Sequence, residues 1–316
     1  MTAPADQPTC RQCGSTALQD WGAISDATTF AGQTLPQPLA GGRLWFCAAC
    51  ALGQRQPVLA AEAYERLYAA APPDVWQHEG QHNGATLRGD QRRVVEQLLA
   101  DGAPARVLDV GCYDGRLLAT LPPGTERCGI EASAAAAAQA AGRGVRVLAD
   151  RFSALRELAT QPVRFDAIAA VDVIEHVHEP HRLLADMAAL LAPGGRLVLS
   201  TGSIEATAWQ RCGGTYWYGA FPEHLSFIGP AWARQQAERL GLRLAVAESF
   251  RYDAAFAADD VPAAEQRFER RLRRARWARR LGRVAPGLER RLVRRLACGV
   301  PGLFADHVLL VFERPR

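Results

Sequence analysis

The chain contains no lysine: all 37 of its basic residues are arginine. We attribute this to the base composition of a GC-rich genome rather than to a function. No apolar run approaches the roughly 20 residues that cross a bilayer, which excludes a helical membrane span. The opening residues, Met1 to Cys10, have neither a basic start nor an apolar stretch, so no secretory signal is expected. The expectation is a cytoplasmic protein whose 8 cysteines are reduced. What is present is a chain of 316 residues, 48% hydrophobic, enough to bury one large domain with attachments. Its net charge of +4 hides an asymmetry. Between Glu265 and Cys298 stand 13 Arg and 3 Glu, a balance of +10, which leaves −6 for the rest.

Two C-x2-C pairs lie near the beginning, Cys10 with Cys13 and Cys47 with Cys50, and 33 residues separate them. Four thiolates close a tetrahedral structural zinc site and leave no position for a catalytic water. The intervening Trp21, Ile24, Phe30, Leu35, Leu44, Trp45 and Phe46, among Gly and Pro, suit a small β-hairpin module. Too few apolar residues are present for an independent core, so zinc is expected to staple a module over residues 1–60. The bland alternative is four unrelated buried cysteines. Cys112, Cys128, Cys212 and Cys298 are scattered and read as small packing groups.

Residues 61–104 are expected to be a helical connection. Tyr64, Leu67 and Tyr68 share one face, and Val94, Val95, Leu98 and Leu99 share another. The aperiodic Trp76-Gln77-His78-Glu79-Gly80-Gln81-His82 between them is either a lid or a surface connection.

The domain over residues 105–316 is organised around Val107-Leu108-Asp109-Val110-Gly111-Cys112-Tyr113-Asp114-Gly115. This stretch reads as a buried strand, a glycine-bounded turn and the start of a helix. That order makes a ligand site at the C-terminal edge of a parallel sheet. Gly111 and Gly115 let the backbone pass close to a ligand where a Cβ would intrude. Glu131 ends the next strand, 20 residues after Gly111, where an acid can accept both ribose hydroxyls of an adenosine. Ala132 to Ala141 is nearly pure alanine, a thin half-exposed helix. Further strands are expected over 145–149, 165–171 and 196–200, and the alternation with helices predicts a parallel sheet with right-handed crossovers. Asp114, an acid within the turn, would repel a pyrophosphate and suit a cationic sulfonium, which argues against a dehydrogenase.

These residues resemble the Rossmann-type S-adenosylmethionine-dependent methyltransferases. The turn after Asp109 is similar to their D-x-G-x-G-x-G motif, with Cys112-Tyr113-Asp114 replacing part of the glycine-rich centre. Asp172-Val173-Ile174-Glu175-His176, continuing to Pro180, is similar to their D-x-x-E-H-x-x-x-P segment. Leu191 to Leu199 is similar to L-x-P-G-G-x-L-x-L. The resemblance implies an α/β fold with a doubly wound, seven-stranded, mostly parallel sheet. It implies S-adenosylmethionine held by Asp109, Gly111, Cys112, Tyr113, Gly115, Glu131, Ala132, Asp150, Arg151, Asp172 and Val173. Asp150 would then accept from the adenine amino group.

Taken with the four cysteines, Glu223-His224-Leu225-Ser226-Phe227 makes nearly the whole chain resemble the zinc-ribbon sugar C- and O-methyltransferases, in which E-H-x-S-[YF] carries a catalytic His. The resemblance implies His224 as general base, oriented by Glu223 or Glu175, with His176 secondary and a sugar, nucleotide-sugar or glycan precursor as acceptor. Two departures stand against the C-methyl reading. Ala220-Phe221-Pro222 occupies the place where those relatives carry Tyr-His, and Tyr64 and Tyr68 only partly echo their Tyr-rich segment. His176 as a helix cap and His224 as a core histidine are the competing readings.

An Arg-rich helical insertion is expected over 251–301, before the last strand. Its Phe268, Leu272, Trp277 and Leu281, spaced 4, 5 and 4 apart, read as one helical face. Such a helix suits anionic lipid, nucleic acid or a phosphorylated donor, and a solvated Arg face fits as well. Asp172-Val173-Ile174-Glu175 stands where base N-methyltransferases carry N-P-P-[YFW]. The expectation is therefore a small-molecule acceptor and no nucleic acid, with residues 265–298 as a contact to the anionic inner membrane face. RNA methylation and methylation of a quinone or other metabolite are the alternatives.

Overall fold

The computed structural model describes residues 8–69, 87–252, 260–285, 287–299 and 301–316. The segment Trp76 to His82 lies outside the described residues. Five strands open the chain: β1 (Leu18–Ala23), β2 (Ala27–Phe30), β3 (Gln33–Leu39), β4 (Arg43–Cys47) and β5 (Leu52–Gln56). Helices α1 (Ala61–Ala69) and α2 (Gly89–Leu98) precede β6 (Arg106–Val110), α3 (Arg116–Ala119), β7 (Glu126–Ile130) and α4 (Ala134–Gly142). There follow β8 (Arg146–Ala149), α5 (Ala154–Ala159), β9 (Phe165–Val171), α6 (Pro180–Ala189) and β10 (Leu191–Gly202). The last part holds α7 (Thr207–Cys212), β11 (Ser226–Phe227), α8 (Pro230–Leu240), β12 (Arg243–Phe250), α9 (Val261–Gly282), α10 (Leu288–Val293) and β13 (His307–Glu313).

The seven-stranded sheet runs β12-β13-β10-β9-β6-β7-β8. The strands from β10 to β8 are parallel, and β13 is antiparallel to both of its neighbours. This is the doubly wound α/β fold expected from the sequence. Val107, Leu108 and Val110 are wholly buried because helices cover both faces, which is why β6 reads as a continuous apolar run. From β6 the chain winds outward to β7 and β8, then returns to β9 on the other side of β6. That reversal opens a crevice at the C-terminal edge of the sheet. Ser133 caps the alanine helix α4 by accepting from the Ala136 N–H at 3.3 Å. Pro193-Gly194-Gly195, which precedes the strand expected over 196–200, is instead an irregularity within β10: the pairing with β9 slips between Leu191 and Arg196.

A four-stranded sheet, β1-β4-β5-β11, holds three of the amino-terminal strands, and β2 and β3 pair separately. Its last strand comes from far along the chain, since Ser226 and Phe227 pair with Gln54 and Gly53. Strand β4, which carries Cys47, therefore shares a sheet with the residues just after His224.

On α9 the structure corrects the sequence reading. Phe268, Leu272, Ala275 and Ala278 are buried, but Trp277 is 56% exposed. At about 100° per residue, the step from Phe268 to Trp277 makes roughly two and a half turns and puts them on opposite faces. The core side continues through small alanines instead. Phe268→Ala should accordingly cost about 3–5 kcal/mol, and Trp277→Ala no more than about 0.5 kcal/mol, by urea denaturation followed by circular dichroism.

Candidate functional site

The first group of site residues lies at the C-terminal ends of β6, β7 and β9. Gly111 and Gly115 take left-handed backbone, at φ +77° and +76°. A Cβ on Gly111 would meet Val173 Cγ2 at 2.5 Å, so the turn closes only on glycine. Glu131 accepts from the Tyr113 N–H and the Ser133 N–H, each at 2.8 Å, which pins the turn to the end of β7. Burial, followed by the neighbouring Glu131, pushes the Asp109 carboxyl up to about 8. The Cys112 thiol is turned inward, where a Cβ on Gly129 would touch its Sγ at 2.4 Å, so only its backbone borders the turn. Asp172 has φ +50° and takes an ion pair from Arg88 at 2.7 Å. Its Oδ1 is buried with no hydrogen-bond partner among the described residues. An orphaned carboxylate oxygen beside this glycine turn fits the amino or hydroxyl group of a bound nucleoside.

One expectation for this edge needs correction, that of Asp114, while Asp150, Arg151 and Ala132 lie open to solvent, as the edge of a ligand crevice allows. Asp150 ends β8, but its side chain is 80% exposed, and Arg151 pairs with Glu157 at 2.9 Å. These two flank the edge in solvent. Ala132 is exposed as well. Asp114 does not present a free charge: it is buried and held by Arg116 at 2.8 Å and Arg143 at 3.3 Å, which keeps its carboxyl low against burial. The discrimination against phosphate drawn from Asp114 therefore fails, because paired arginines neutralise it.

The second group follows Val173 directly. Carboxylate or imidazole atoms of Glu175, His176 and His224 all lie within 4.8 Å of one another. The rings of His176 and His224 sit 5.0 Å apart, nearly perpendicular. The His224 Nδ1–H donates to the Tyr218 carbonyl at 2.7 Å, which leaves Nε2 of the neutral ring with its lone pair. Burial, and then the neighbouring His176, hold His224 well below the usual histidine range. Burial alone brings His176 down to about 4. Tyr218 donates its hydroxyl to Glu175, and burial, followed by Asp172, lifts that carboxyl to about 8. Tyr68 on α1 meets His176 Nδ1 at 2.8 Å. Glu223 is turned away from the imidazole: it accepts from the Ala31 N–H in the β2–β3 turn. The orienting role expected of Glu223 thus falls to the Tyr218 carbonyl.

The amino-terminal strands hold this cluster in place. Cys10 and Cys50 sulfurs stand 3.5 Å apart, Cys13 and Cys47 sulfurs 3.6 Å apart, and all four lie within 4.8 Å of one another. A disulfide needs about 2.05 Å, whereas four bonds of about 2.3 Å to one tetrahedral ion set sulfurs roughly 3.8 Å apart, so the donor set fits a metal. Between the first two cysteines, Arg11 donates to the carbonyls of Arg55 and Leu225 at 2.7 Å and His178 at 3.2 Å, and to Ser226 Oγ at 3.1 Å. Arg55 is fully buried and donates to the carbonyls of Gly219 at 2.5 Å and Phe221 at 2.7 Å. Leu225 N–H donates to the Glu175 carbonyl at 2.8 Å. Arg11, Arg55 and Arg88 escaped the sequence reading; only Arg11, set inside a cysteine knuckle, carried a local signal.

A family model described as a methyltransferase domain matches residues 83–246. The chain belongs to that family. A stretch of 160 residues is 34% identical to a ubiquinone biosynthesis O-methyltransferase of Xylella fastidiosa, covering 47% of this chain and 65% of that protein. A stretch of 87 residues is 37% identical to the like-named protein of Coxiella burnetii, covering 26% of this chain and 37% of that one. The chain thus spans less than two thirds of either relative. Among solved structures, N-methyltransferase NodS from Bradyrhizobium japonicum is 16% identical, with 80% of this chain and 98% of that chain covered and a TM-score of 0.46.

The raised carboxyls of this methyltransferase domain make its stability depend on pH. Asp109 and Glu175 stay protonated in the folded state up to about pH 8 but ionise near pH 4 when unfolded. Their stabilisation is complete below about pH 4 and is lost as the pH rises through 8. The Asp109→Asn variant should show a shallower fall of Tm between about pH 5 and 8 than the parent; parallel curves from calorimetry would contradict this.

Proposed function

We propose that the chain transfers a methyl group from S-adenosylmethionine to a small, hydroxyl-bearing acceptor, with His224 as general base. The observation that carries this reading is the neutral, buried His224, whose ring stands beside Glu175 and His176 while Nδ1 is held by the Tyr218 carbonyl. When bound, S-adenosylmethionine supplies an electrophilic methyl group on a sulfonium. The residues that would hold it are Asp109, Glu131 and Asp172, with the backbone from Gly111 to Gly115. The rest of the task is alignment and removal of one proton. Burial keeps His224 unprotonated at neutral pH, which leaves a lone pair open to the proton at a cost in basicity, and its Nδ1–H is held on the Tyr218 carbonyl. Glu175, His176 and Tyr218 would fix the acceptor by hydrogen bonds in a site walled by Trp217, Tyr218 and Phe221. We assign zinc to the four cysteines as a structural ion.

Within this class we favour a sugar-linked acceptor, a nucleotide-sugar or glycan precursor, on the order of the four-cysteine module, the methyltransferase domain and the Glu223-His224 segment. A phenolic acceptor is the second reading, favoured by the description of the Xylella and Coxiella relatives as ubiquinone biosynthesis O-methyltransferases. Radiolabelled methyl transfer onto nucleotide-sugar pools and onto simple phenols separates the two. With either acceptor, His224→Gln should lower kcat by about 100-fold or more while cofactor affinity by calorimetry stays unchanged. Glu131→Gln should do the reverse and weaken cofactor affinity at least about tenfold. Full turnover in the His224 variant would remove it from the mechanism.

A further inference from the structure

We propose that the outer face of α9 binds the surface of an anionic phospholipid bilayer. The helix uses its inner face for the fold: Phe268, Leu272, Ala275 and Ala278 are buried, Arg211 pairs with Glu269 at 2.7 Å, and Arg279 donates to the Cys212 carbonyl. None of these groups is needed on the opposite side. There Arg270 and Trp277 stand seven residues apart, which holds them within about 20° of one line, and Val284 follows in the turn just past the helix end. Arg273, Arg274 and Arg280 flank that line, and all are exposed.

Two properties of this stripe point to lipid. Trp277 and Val284 are 56% and 84% exposed, and both belong to the small set of exposed large hydrophobic side chains among the described residues. Their arginine neighbours are unbalanced: among the described residues no carboxylate pairs with Arg270, Arg273, Arg274, Arg280 or Arg295. Beside the stripe, Arg270, Arg271, Arg274 and Arg295 line a hollow of about 410 Å³ with Leu296 and Ala297. The Arg271 guanidinium is fixed there by the Ala297 carbonyl at 3.1 Å. Uncompensated guanidinium groups around a hollow of this size suit a phosphodiester headgroup, while an indole and an aliphatic side chain between them suit the depth just below it. A nucleic acid would use the arginines and the indole, but it offers Val284 nothing, because a branched alkyl group has no π-face to stack.

The test is flotation of the full-length, zinc-loaded protein with vesicles of phosphatidylcholine alone or mixed with phosphatidylglycerol. The protein should float with the mixed vesicles only, and less so as salt rises. Each arginine removed should weaken partitioning about fivefold, so the triple variant Arg270→Gln, Arg274→Gln, Arg295→Gln should bind roughly 100-fold more weakly. Trp277→Ser should lose the vesicle-induced blue shift of fluorescence that Trp277→Phe also lacks, but only the serine variant should lose affinity. All these variants should keep the parent Tm and cofactor affinity. The proposal is overturned if the mixed vesicles do not bind the parent at low salt, or if the triple variant binds them equally well. It is also overturned if inorganic phosphate at the lipid's phosphorus concentration displaces the protein, or if a single-stranded oligonucleotide binds more tightly than the vesicles.

Discussion

The guanidinium of Arg11 is the contact on which the site's geometry depends. It sits between two cysteines of the amino-terminal cluster and donates to the backbone or side chain of Arg55, His178, Leu225 and Ser226. Those acceptors belong to three separate stretches of chain: the end of β5, the turn after His176 and the strand after His224. A carbonyl in such a place has no water to turn to, so losing the donor leaves several buried acceptors unsatisfied at once. Burial brings Arg11 down to about 10, still charged at neutral pH, so its bonds remain charge-assisted. Arg55 extends the clamp to the Gly219 and Phe221 carbonyls. The cysteine cluster is thereby tied to the His224 segment through these two arginine donors.

Burial then sets the protonation states. At one edge of the crevice the Asp109 carboxyl rises to about 8, and at the other the Glu175 carboxyl does the same while His176 falls to about 4. The common cause is desolvation, which disfavours every charged form alike. A site of neutral acids and neutral imidazoles costs less to keep dry than one of ions, and it still offers lone pairs and protons to an acceptor.

The parts of this fold that follow from local pattern were legible. The apolar runs of β6 and β9, the glycine turn after Asp109 and the acid ending β7 are each dictated within about ten residues of chain, and the alternation of strand and helix pointed to a parallel sheet. What escaped was non-local. Arg55 lies in Leu52-Gly53-Gln54-Arg55-Gln56, whose polar content hides a strand buried on both sides. Glu223 beside His224 suggested a catalytic pair, but the carboxylate is drawn to a backbone N–H in the β2–β3 turn. No spacing along the chain encodes that contact. Trp277 was misplaced for a different reason: spacings of 4, 5 and 4 were read as one face, though helical phase puts Trp277 opposite Phe268.

Hydrogen exchange on the zinc-loaded and chelator-treated protein tests the central claim most directly. If the cysteine cluster holds the His224 segment through Arg11 and Arg55, stripping the metal should raise exchange at residues 219–227 together with 52–56, while residues 106–110 and 126–130 stay protected. Unchanged exchange at 219–227 in protein shown to be metal-free would contradict it.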